Sequence, residues 1–200
     1  MGGKVELMIA NSMKSLLERD SALAERTIAF DKEINAMEIE IDEKCLHILA
    51  RRQPAARDLR FVTLALKIVT DLERIGDQCA GIARHALELN REAQLKPYID
   101  LPRMADTANN ALREALDAFV RGDASTAVDV CRAERIVDEL NEQLQRELLT
   151  FMMEEPATIG RAMRIIAVSK YLARIADHAT NIAEMVVFMV EGKDIRHSIA

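Results

Sequence analysis

The chain has little of what a β-rich fold uses. Its 200 residues include 7 glycines, 4 prolines and only 4% aromatic side chains, whereas sheets spend glycine on turns and aromatics on strands. The expected fold class is therefore all-α. Cysteine is scarce too: Cys45, Cys79 and Cys131 are scattered, odd in number and never spaced as a zinc knuckle. They read as small buried residues of a reducing cytoplasm. Long apolar runs are missing, since the most apolar stretch, Ile182 to Val190, carries Glu184 and falls far short of the ~20 residues a spanning helix requires. The N-terminus passes from Gly2-Gly3-Lys4 straight into an amphipathic stretch, unlike the apolar core of a secretory signal. Positive charge is in deficit, and a formal net charge of -6 leaves no general basic face for nucleic acid.

What is present is hydrophobic content of 50%, enough to bury a core as one domain or as two small ones sharing a seam. Apolar spacing predicts six helices. The first covers about Val5 to Glu18. Asp20 and Ser21 cap a second that carries Leu23, Phe30, Ile34, Met37, Ile41 and Ile48 to about Ala50. Pro54 opens the third, with Phe61, Ala65, Ile68, Leu72, Ile75, Cys79, Ile82 and Ala86 inward as far as Leu89. Between Arg91 and Arg103, where Pro97 and Pro102 stand, periodicity stops, and this is the expected linker. A fourth helix ends at Gly122, a fifth runs from the Asp123 cap to about Met153, and a sixth runs from Pro156 to Gly192.

The second half replays the first. Asp20 matches Asp123, Gln53-Pro54 matches Glu155-Pro156 and Asp77 matches Asp177, a repeat of roughly a hundred residues. That period is too long for a short solenoid repeat. It suits two tandem, sequence-related antiparallel three-helix bundles, over residues 1–96 and 103–200.

Acidic pairs recur beside the apolar stripes. Glu73-Arg74-Ile75-Gly76-Asp77 has a near-copy in Ala173-Arg174-Ile175-Ala176-Asp177, and Glu134 with Asp138 has a weaker echo in Asp31 with Asn35. Residues i and i+4 share a helix face. Asp31, Asn35, Glu38 and Asp42 thus form a polar row on the rim of the core, with Glu134, Asp138 and Asn141 as its counterpart. The partner rows are Glu73 with Asp77, and Asp177 with Asn181 and Glu184. Hard oxygen donors in such rows suit a divalent metal such as Mg, Mn or Fe better than Zn or Cu. The plainer alternative is a solvated flank paired with Arg74, Arg135 and Arg174.

Catalytic signatures are lacking. Glu-x-x-His, the mark of ferritin-type di-iron bundles, is absent, since Lys44, Ile82 and Ile175 stand three positions before His47, His85 and His178. His178 reads as a rim residue. There is no glycine-rich phosphate loop and no Gly-x-Ser-x-Gly, and Cys79 lies on an apolar stripe. Met37, Met152, Met153, Met163, Met185 and Met189 follow helical spacing as core filling.

Three stretches in order, Gln53-Pro54-Ala55-Ala56-Arg57-Asp58-Leu59-Arg60, Asp71-Leu72-Glu73-Arg74-Ile75-Gly76-Asp77 and Ile175 to Glu184, resemble the PhoU family of phosphate-uptake regulators, as does Gly192-Lys193-Asp194-Ile195-Arg196-His197. The resemblance covers nearly the whole chain. It implies two three-helix bundles and a cytoplasmic, non-enzymatic repressor of phosphate uptake and of phosphate-starvation signalling. Such a protein would link the ATPase subunit of the phosphate-specific ABC transporter to a membrane sensor histidine kinase, and a homodimer is expected. The family's acidic motifs, which hold metal ions or clusters, would fall on Glu73 with Asp77, Glu134 with Asp138 and Asp177 with Asn181, and more loosely on Asp31 with Asn35. Ala173 stands where the last motif expects glutamate. Family members usually have extra residues before Met1, so a short helix one is expected to leave its partners less covered. Competing readings are a carboxylate-bridged metal oxidase or storage bundle and an accessory protein of another phosphate transporter.

Overall fold

The computed structural model describes residues 1–131 and 133–195. Among these the chain is helical throughout: α1 (Gly2–Leu17), α2 (Ser21–Arg52), α3 (Ala56–Leu89), α4 (Asp100–Arg121), α5 (Ala124–Val130), α6 (Ala133–Glu154), a 3-10 turn (Pro156–Thr158) and α7 (Ile159–Glu191). Both expected caps form. Asp20 accepts the Leu23 N–H, and Asp123 accepts those of Ser125 and Thr126, each satisfying amides that a helix start leaves unpaired.

The first trio packs α1, α2 and α3 together, and the second packs α4, α6 and α7 with α5 against them. The trios join through α3 against α7 and α1 against α4. One continuous core runs through both halves, from Met8, Ile9 and Ile75 to Leu112, Leu144 and Ile165. Contacts of Asp71 with His178 and of Glu88 with Arg164 set α3 and α7 antiparallel. At their crossing the Tyr171 ring lies where a Cβ on Gly81 would stand 2.8 Å from it. A side chain there would have to displace the outer end of that ring.

Four expectations are corrected. The fifth helix is two, α5 and α6. Its apolar row stays in phase through Ala127, Val130, Val137, Leu140 and Leu144, but Glu134 falls within that row. Starting a new helix at Ala133 puts Glu134 in a first turn, where the helix dipole favours a carboxylate. The last long helix begins at Ile159, because Pro156 opens a 3-10 turn whose Thr158 hydroxyl donates to the Phe151 and Glu155 carbonyls. The linker is shorter than expected, since Asp100, Leu101 and Pro102 already form the first turn of α4. Finally, Phe61, Met153 and Met163 are exposed rather than in the core. Phe61 stacks on Phe119 at 5.1 Å.

The linker itself is tied down. Asn90 donates to the Ser15 carbonyl, Arg19 to the carbonyls of Asn90 and Glu92, and Arg161 to that of Ala93, while Lys96 pairs with Glu147. On the first trio, α1 reaches only the inner half of α2, with Lys4 bonded to Glu33 at 2.7 Å. The outer half of α2 packs on α3 alone, so Ile48 is exposed.

Candidate metal centres

The α2 and α3 rows face each other. Asp31 and Asn35 on α2 and Glu73 and Asp77 on α3 are all half-buried. Burial raises the Asp31 carboxyl, and the neighbouring Asp77 raises it further, against the help of Arg84 and of an Asn35 hydrogen bond. Glu73 is raised first by burial and then by Asp77, with Glu38 and Asp31 adding to it and Arg74 opposing. Arg74 lies 3.5 Å from Glu73 and 3.7 Å from Asp77. Gly76 makes this approach close, because a Cβ there would stand 3.4 Å from Asp31 Oδ1 and 3.3 Å from the fixed Ile34 side chain.

The second half builds the matching rim from α6 and α7. Asp177 keeps solvent access, yet the surrounding protein, Glu134 and Asp138 together push its carboxyl up to about 6, with His178 and Arg174 opposing. Asp138 is raised by burial and by Glu142. Asn181 is placed differently. It lines a recess of about 410 Å³ with Leu64, Lys67, Glu184, Met185, Phe188 and Asp194. Asn141, expected in this row, accepts the Ser169 hydroxyl at 2.8 Å.

Two residues of these rims were not legible as neighbours. Cys131 sits by Glu184 and Glu134, and burial, followed by those carboxylates, pushes its thiol up to about 11. Its i,i+3 spacing from Glu134 was the only signal. His178 Nδ1 meets Asp71 Oδ1 at 2.8 Å across 107 residues of sequence, which no local pattern announces. Arg196 and His197 of the C-terminal motif lie outside the described residues.

Among the described residues, no three His, Cys, Asp or Glu side chains are set to hold one metal ion. The chemistry of the first rim nevertheless fits a cation. Asp31 Oδ1, Asn35 Oδ1 and Asp42 Oδ1 are buried acceptors without a hydrogen-bond partner, and desolvated oxygens in that state are costly. A hard divalent ion would satisfy Asp31 and Asn35 and relieve the repulsion between Asp31 and Asp77, whereas Asp42 lies ~16 Å along α2 from Asp31, beyond reach of the same ion. Both rims are open flanks rather than closed cages.

Fold and rims together define the class: a duplicated helical bundle with an acidic rim on each half. The PhoU domain model matches residues 1–86 and again residues 101–186, and the chain belongs to the PhoU family. It is 44% identical over 198 residues to the phosphate-specific transport system accessory protein PhoU homolog of Pseudomonas putida, covering 98% of this chain and 77% of that one. Its identity to the phosphate-specific transport system accessory protein PhoU of Escherichia coli is 38% over 197 residues, with 98% and 82% covered. The crystal structure of PhoU from Pseudomonas aeruginosa superposes with a TM-score of 0.93 at 43% identity, over 96% of this chain and 93% of that one. That of the phosphate transport system regulatory protein PhoU from Streptococcus pneumoniae gives 0.90 at 30%, over 96% and 91%. The all-α duplicated fold read from the sequence is the fold observed. The family is one of accessory and regulatory proteins rather than enzymes.

Proposed function

We propose that this protein is a cytoplasmic negative regulator of phosphate uptake and of the phosphate-starvation regulon. It would act as a metal-binding adaptor between the ATPase subunit of a phosphate-specific ABC transporter and a sensor histidine kinase. The observation that carries this reading is the likeness to phosphate-specific transport accessory proteins over 98% of the chain. Among the described residues no helix is long and apolar enough to cross a membrane, so contact with a transporter would be made through partner proteins or the membrane surface.

Within this reading the metal is Mg, Mn or Fe. Asp31, Asn35, Glu73 and Asp77 would hold it in the first half, and Glu134, Asp138 and Asp177, with Asn181 at the edge, in the second. A bound cation supplies positive charge between facing carboxylates. Through it these residues would tie α2 to α3 and α6 to α7, which would stiffen each bundle for docking on its outer faces. A homodimer is part of the proposal.

Two measurements test it. Glu73→Ala with Asp77→Ala should lower the metal retained, read by elemental analysis, with helicity unchanged by circular dichroism. Unchanged stoichiometry removes the first-half assignment. Pull-downs with the transporter ATPase and the kinase at low and high phosphate should show binding to both, and capture of neither overturns the adaptor role.

A further inference from the structure

The two hairpin tips of the duplicated fold differ in a way that folding does not demand. The first, where α2 turns into α3, is basic. Residues 44–60 contain five of the 27 Lys and Arg, namely Lys44, Arg51, Arg52, Arg57 and Arg60, but only one of the 33 Asp and Glu, Asp58. At the matching turn between α6 and α7, Arg51 and Arg52 are replaced by Met153 and Glu154. The same architecture therefore forms with an apolar residue and an anion in their places, which frees the two arginines from a structural role. Their pairing differs as well. Arg161 and Arg164 near the second tip meet Glu92 and Glu88, while Arg51 and Arg52 are exposed and no ion pair engages them among the described residues.

Apolar side chains are interleaved with these cations. Leu46 is 59% exposed and Leu59 42% exposed. Lys44, Leu46, Arg51, Arg52 and Leu59 all lie within ~15 Å of the turn along the helix axes. The shallow recess beside the turn is lined by Glu40, Glu43, Lys44, His47, Ile48, Arg51 and Arg52, all from α2, so it has no second wall to seat a partner helix. Lys44 is held by Glu40 at 2.5 Å, and single leucines between the arginines at an end without a two-walled groove match an anionic bilayer surface, where cations sit among headgroups and short apolar side chains enter the acyl boundary. Arginine and lysine stems reach across that boundary while their charges stay in the headgroup layer.

We infer that the α2–α3 tip docks on an anionic phospholipid surface, Arg51 and Arg52 supplying the attraction and Leu59, in the first turn of α3, the shallow insertion. The rest of the chain, which carries the excess of acid, faces away from the membrane. This orientation is independent of the metal and adaptor readings, and its failure would leave them intact.

The chain contains no tryptophan, so Leu59→Trp makes a single-tryptophan reporter at the tip. With vesicles of 70% phosphatidylcholine and 30% phosphatidylglycerol, the expected results are co-sedimentation at low salt, release at 0.5 M salt and a blue shift of the reporter's emission. Phosphatidylcholine vesicles alone should give none of these. Arg51→Glu with Arg52→Glu should weaken partitioning at least tenfold, and Met153→Glu at the other tip should not. Helicity of every variant is checked by circular dichroism. The inference is overturned by absence of binding to the anionic vesicles, by equal binding to both vesicle types, or by unchanged partitioning of the double variant. Retention on duplex DNA or polyglutamate without vesicle binding also overturns it.

Discussion

Asp177 shows what a single residue in these rims does to stability. An unfolded aspartate titrates near ~3.9, whereas the folded carboxyl is pushed up to about 6. Between those values the native state binds more protons than the unfolded one, so stability falls as pH rises through that window. Because Asp177 keeps solvent access, screening leaves only a fraction of the ~1.4 kcal/mol per pKa unit. The chelated protein should melt higher at pH 5 than at pH 7.5. Asp177→Asn should raise the melting temperature at pH 7.5 and remove part of that dependence, as read by thermal circular dichroism; a lower melting temperature for the variant contradicts the repulsion described here. The acidic rows were legible because i,i+4 spacing is local. The placing of Asn181 in the recess beside Lys67 was not, because it depends on how α7 is turned against α3.

At the scale of elements, the antiparallel pair α3 and α7 is the feature on which the two halves depend. Within it Gly81 of α3 lies against the Tyr171 ring of α7. Gly81→Val would drive a Cβ and two further methyls into that ring, at a cost of about 1–3 kcal/mol from overpacking. The urea midpoint should fall accordingly, and a midpoint equal to wild type would mean the helices move apart freely. Helix starts at Asp20 and Asp123 were readable from capping chemistry. The break after Val130 was not, because the buried row stays in phase across it. Met153 and Met163 misled for a related reason: helical spacing assigns a side chain to a face but does not say whether another element covers that face.

For the molecule as a whole, one core runs through both repeats, and the seam between them also carries the Asp71–His178 contact and the Arg164 pairs with Glu88 and Glu92. The halves should therefore unfold together. Urea denaturation followed by circular dichroism should give a single cooperative transition, and two resolved transitions would show the bundles to be independent. Duplication was visible in the sequence as a period of roughly a hundred residues. The mutual orientation of the copies was not.

The sequence by itself determined an all-helical chain, its duplication and the acidic rows beside each apolar stripe. These follow from spacing within a few residues and from composition, which need no knowledge of distant contacts. Tertiary structure alone decided that α3 lies antiparallel to α7, that Asp31 faces Asp77 while Asp177 faces Glu134, and that Arg51 and Arg52 at one hairpin tip meet no ion-pair partner among the described residues. Such facts rest on side chains brought together from positions far apart in the chain, where packing rather than periodicity selects the neighbour.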